Sequence, residues 1–69
     1  MTTPEMTSAE HHAFLAHTAQ RNAATFREYL TWSTDPAQRR WAEALAAAAE
    51  IEADAEAEYA AALRERVPA

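Results

Sequence analysis

The 69-residue chain contains no cysteine and no glycine, and all six of its basic residues are arginine. Without cysteine there are no disulfides and no thiolate metal sites. Without glycine there is no glycine-rich phosphate loop and no Gly-x-Ser-x-Gly nucleophile elbow. The usual Ca²⁺ loop, which turns on a glycine, is excluded as well. No apolar run is long enough to span a bilayer. Met1 to Glu10 lacks both basic residues and an apolar stretch, so no signal peptide is expected. Positive charge is scarce: eleven acids give a net charge of −5 and a pI near 5.0. Such a surface repels nucleic acid and anionic membrane, so neither is expected as a partner. Arginine-only, alanine-heavy usage points to a GC-rich bacterial genome, and the expected location is cytoplasmic.

A chain of this length forms one small domain and buries only about 60% of its unfolded surface. Small domains compensate with disulfides, metals, oligomerisation or very efficient helix packing. Here the first is excluded.

What the chain does have is helix-forming sequence. Trp41 to Leu63 is almost entirely alanine and acids, with no helix breaker. Before it, Ser8 to Trp32 is also unbroken. Two starts compete for this first helix. Thr3-Pro4-Glu5 offers a cap followed by proline, and Thr7-Ser-Ala-Glu10 offers a capping box. The second is preferred. Asp35-Pro36 is the one strong internal break, because proline disfavours helical geometry at the preceding residue. Asp35 then serves as the next N-cap, with Gln38 at the capping-box position. Ser8 and Ser33 fall at helix ends, where capping and turn chemistry explain them. So short a connection implies antiparallel neighbours.

The fold expected is therefore all-α: a single domain over 1–69, with a first helix over about 8–32, a turn at 33–35, a second helix over about 36–66, and flexible tails at 1–6 and 67–69. The second helix would be on the order of 45 Å long at 1.5 Å per residue.

In the first helix, positions 12, 16, 19, 23, 26, 30 and 33 follow alternating steps of four and three. They read His, Ala, Ala, Ala, Phe, Leu, Ser. This is the spacing of a helix packed along another. Phe14 and Trp32 lie on a different face. The second helix has two apolar stripes. The bulkier contains Trp41, Ala44, Leu45, Ala48, Ile51, Ala55, Tyr59, Ala62 and Leu63, and it is expected to face the first helix. The other is Ala42, Ala46, Ala49, Ala53, Ala57 and Ala60. A lone hairpin buries one stripe per helix, so the surplus faces mark an interaction surface. The expectation is an antiparallel hairpin that dimerises into a four-helix bundle. Its interface residues would be Phe14, Trp32, Trp41, Ala42, Ala46, Ala49, Ala53 and Tyr59.

His12 falls on the first helix's seam. With the turn centred on Thr34, equal rise along both helices puts it opposite about residue 56, so a carboxylate partner at Glu52 or Glu56 is expected. The candidate metal ligands are His11, His12 and His17 with the acidic row Glu50, Asp54 and Glu58. Helical ligand pairs are three or four residues apart, whereas His12 and His17 are five apart. The Glu-x-x-His element of di-iron bundles is also missing. No metal site and no cofactor are therefore assigned, and no nucleophile–base arrangement supports an enzyme.

Trp32-Ser-Thr, between two helices, resembles the placement of the motif in the Trp-x-Gly family of small secreted helical hairpins. Thr34 stands where that family has glycine. Tyr59-Ala-Ala-Ala-Leu63 lacks the acid of its C-terminal Tyr-x-x-x-Asp/Glu signal, and the chain is shorter. The resemblance adds only the hairpin topology, and secretion is not carried over.

The functional expectation is a small acidic interaction protein. It would self-associate as a homodimer, dock on a larger protein as an accessory subunit, or do both. The alternative is a metal- or cofactor-binding four-helix bundle using histidine and carboxylate side chains.

Overall fold

The computed structural model describes residues 7–66, so the expected tails at 1–6 and 67–69, and the competing start at Thr3, fall outside the described residues. Two helices, α1 (Ser8–Trp32) and α2 (Pro36–Glu65), pack against each other as a hairpin. Thr7 caps α1, its hydroxyl accepting from the Glu10 amide at 3.1 Å. Asp35 caps α2, its carboxylate accepting from the Gln38 amide at 3.0 Å. Pro36 sits at the start of α2, where its missing N–H leaves no bond unmade.

The turn has a lock that local capping rules do not supply. α1 has no basic residue in its last turn. Arg39, from the first turn of α2, reaches back instead. Its Nη1 donates to the carbonyls of Leu30 at 2.6 Å and Ser33 at 2.7 Å. A guanidinium there satisfies carbonyls left open by the helix end and sits at the negative pole of the α1 dipole. Tyr29 adds a second strap by donating its hydroxyl to Gln38 Oε1 at 2.5 Å.

Between the helices runs a seam of alanines. The buried apolar residues are Ala16, Ala19 and Ala23 on α1 and Ala42, Ala46, Ala49, Ala53 and Ala60 on α2. Among the described residues, no large side chain is fully buried. Where only methyl groups lie between them, two helices can approach to the low end of the usual interaxial range of about 8–10 Å. Close approach compensates for small side chains by bringing backbone atoms into dispersion contact.

This corrects the expected face of α2. The bulky stripe was expected to face α1, and the alanine row was assigned to an external partner. Instead Ala42 and Ala46 are completely buried inside the hairpin, with Ala49 and Ala53 close behind. Ala57, the one alanine of that row off the strict spacing, is exposed. The first helix matches its expected seam: Ala16, Ala19, Ala23 and Ser33 are buried, and His12, Phe26 and Leu30 are half-buried.

The hairpin is one layer thick. Its extents are 52 × 29 × 13 Å and its radius of gyration is 16.0 Å. A globular chain of this length would have a radius of gyration of about 11 Å. Single-layer geometry leaves the large side chains of the described residues at an edge, on a face or, for Phe26 and Leu30, half-buried in the seam.

Candidate interaction surface

The seam spacing fixes what flanks it. Residues 15, 22 and 29 of α1 and 45, 52 and 59 of α2 border the seam on one side. Residues 13, 20 and 27 and residues 43, 50 and 57 border it on the other. Because the helices are antiparallel, like borders meet across the seam, and the slab acquires two unlike broad faces.

The first face is aromatic. At its turn end, Tyr29 meets Trp32 at 4.5 Å and Trp41 at 6.3 Å between ring centroids, and Trp41 stands edge-on to Phe26 at 5.6 Å. These tilted arrangements are the ones favoured by ring quadrupoles. At the open end, Tyr59 stands edge-on to His12 at 4.6 Å, with His11 beyond it. Leu15 and Leu45 are half-buried along the same border, and Ala48, Ala55 and Ala62 extend it outward. The rings remain open to solvent: Trp32 is 66% exposed, Trp41 55% and Tyr59 49%.

The second face is charged. Arg27 donates from Nε to Glu50 at 2.8 Å, with both side chains half-exposed. The hydrogen bond Arg27 donates to Glu50, then the Coulomb attraction of Glu50 and that of Glu43, raises the Arg27 pKa above its ordinary value, while partial desolvation acts the other way. An exposed pair of this kind is strongly screened by water and salt. Toward the open end, a cleft of about 190 Å³ is floored by Ala13, Ala57 and Ala60 and rimmed by His17, Gln20 and Arg64. It falls below the roughly 300–1,000 Å³ of ordinary small-molecule sites.

The remaining expected positions divide between these surfaces. His12 Nδ1 pairs with Glu56 Oε2 across the hairpin, both side chains about one-quarter exposed. Glu52, the other expected partner, is exposed at the border of the aromatic face. Phe14 and Ile51 lie on the outer flanks of their helices, 52% and 70% exposed. Phe14 is therefore separated from Trp32, which belongs to the aromatic face. Of the metal candidates, His12 is engaged by Glu56, Glu50 by Arg27, and His17 lines the cleft on the charged face. Asp54 and Glu58 are exposed. Among the described residues, no group of three or more histidines and acids is placed to share a metal ion.

Sequence reasoning missed two groups. Arg39 was read only as a charge, although a long cation four residues after an N-cap is placed to reach back over the turn. Arg27 and Glu50 were not paired: both lie on the same border, but they stand seven and sixteen residues from Thr34, so equal rise alone does not set them opposite each other. No helix among the described residues is long and apolar enough to cross a membrane. No family model, curated protein or solved structure matches the chain.

Proposed function

We propose that this chain is a protein-interaction module of a bacterial cytoplasm. It self-associates, two hairpins forming a four-helix bundle, and/or docks on a larger protein as an accessory subunit. It carries out no chemistry of its own. One observation supports this reading above the others. The buried seam is built from alanine, while five large hydrophobic side chains, Phe14, Trp32, Trp41, Ile51 and Tyr59, remain 49–70% exposed. A buried methyl contributes about 0.8 kcal/mol and a fully buried leucine or phenylalanine about 1.5–3 kcal/mol, so a substantial part of the available hydrophobic free energy is left outside the hairpin. Aromatic rings clustered on one face, with charge on the other, are typical of a surface that another protein covers.

The test is association-linked stability. Anything that binds only the folded state raises its melting temperature. The hairpin's Tm should therefore rise with its own concentration, or on adding the cognate partner. Exchanging Trp32 and Trp41 for glutamine should remove that dependence. A chain that stays monomeric, melts cooperatively at one temperature at all concentrations, and is indifferent to both tryptophan changes would refute this function.

A further inference from the structure

We propose that the partner on the aromatic face is a second copy of this chain, laid face to face about a two-fold axis parallel to the helices, with both turns at the same end. The inference rests on the interaction reading and adds the face, the occupant and the orientation. The face runs along the 52 Å length of the slab, from Trp32 and Trp41 at the turn to Tyr59 and His11 at the open end, and its rings are exposed where a partner helix can cover them. Charge then selects the orientation. Seven acids against three arginines give α2 a net charge of −4, whereas α1 carries two acids and two arginines and is neutral.

Two face-to-face arrangements are consistent with two-fold symmetry. If the turns lie at opposite ends, α2 stacks on α2 and the two acidic helices repel each other. If the turns lie together, each acidic α2 rests on the neutral α1 of the other copy. The second arrangement also brings the Trp32, Trp41 and Tyr29 clusters of both copies into one aromatic plug at the turn end. Tyr59, His11 and Leu15 meet their counterparts at the other end. Glu52, the carboxylate bordering this face, then comes level with Leu15 and Thr18 of the second copy, where the Thr18 hydroxyl can donate to it. With the turns apart it would face the level of Leu45 and Trp41, against apolar surface.

The absence of cysteine makes the test clean, because one introduced thiol carries the only label. Spin labels on T34C, at the exposed turn, should show a short inter-copy distance by pulsed dipolar spectroscopy. The turns-apart dimer would place them roughly a hairpin length apart, near the 52 Å long axis. Two neighbouring alanines identify the face. Ala48 is exposed on the aromatic face and Ala47 is exposed on the charged one. A48E should weaken the dimer about tenfold or more by burying an unpaired charge, while A47E leaves it unchanged. A long T34C distance, or sensitivity to A47E rather than A48E, overturns this inference and leaves the interaction function standing. A monomer with no dipolar coupling at high-micromolar concentration overturns the second copy as occupant. Whether the face is covered at all is then decided separately, by the response of Tm to another protein.

Discussion

Replacing Ala46 by leucine tests the seam most directly. Ala46 is completely buried between the helices. Leucine adds three carbons where no space exists. If the seam could open without loss, burying those carbons would stabilise the hairpin by about 0.8 kcal/mol each. Opening has a cost along the whole length of the slab, because Ala16, Ala19, Ala23, Ala42, Ala49 and Ala53 all depend on the same close approach for their dispersion contacts. The alternative is to keep the spacing and force the new side chain off its rotamer. Overpacking of this kind costs about 1–3 kcal/mol, and the rigid alignment of two long helices gives little room for local relaxation. The expected result is a net loss of about 1–3 kcal/mol, equivalent to a fall in Tm of about 4–8 °C per kcal/mol for a chain of this size. The assay is thermal and urea unfolding by circular dichroism at low concentration, with A47L as the exposed control, expected within about 0.5 kcal/mol of the parent. An A46L hairpin as stable as the parent or more so would show that the helices are not held at alanine spacing.

Three further outcomes follow from named contacts. Arg39→Met removes the charged donor from the Leu30 and Ser33 carbonyls and should destabilise by about 1.5–3 kcal/mol, measured by urea unfolding, with Arg39→Lys recovering only part because it lacks the planar fork. Glu56→Leu alone leaves His12 without its partner in the seam and should cost about 1–3 kcal/mol, whereas the H12L/E56L pair should equal or exceed the parent in melting temperature. The Arg27–Glu50 coupling, read from a double-mutant cycle, should vanish in molar salt and stay constant through neutral pH. Raising an arginine's pKa adds stability that is present below its ordinary value and lost only as pH climbs through the raised one, in strong alkali.

Local chemistry alone determined the helices and the turn. Thr7 and Asp35 are caps, Pro36 breaks the chain, and nothing between them interrupts alanine-rich helix. The His12–Glu56 pairing was also legible, because equal rise on both sides of Thr34 sets the register. That register carried a further consequence. Strict alternation of three and four steps through Glu56 runs 42, 46, 49, 53, 56, 60, which is the alanine row and not the stripe of Trp41, Ile51 and Tyr59. Ranking stripes by side-chain bulk obscured this. Bulk measures what each residue contributes once buried, but a helix whose own seam is Ala16, Ala19 and Ala23 fits best against equally small residues.

The tertiary structure alone decided which stripe turned inward, because the choice balances close backbone approach against side-chain burial, and that balance depends on both helices together. It also decided the Arg39 lock and the separation into an aromatic and a charged face. Each depends on residues that are remote in sequence and become neighbours only when the antiparallel packing brings like borders together.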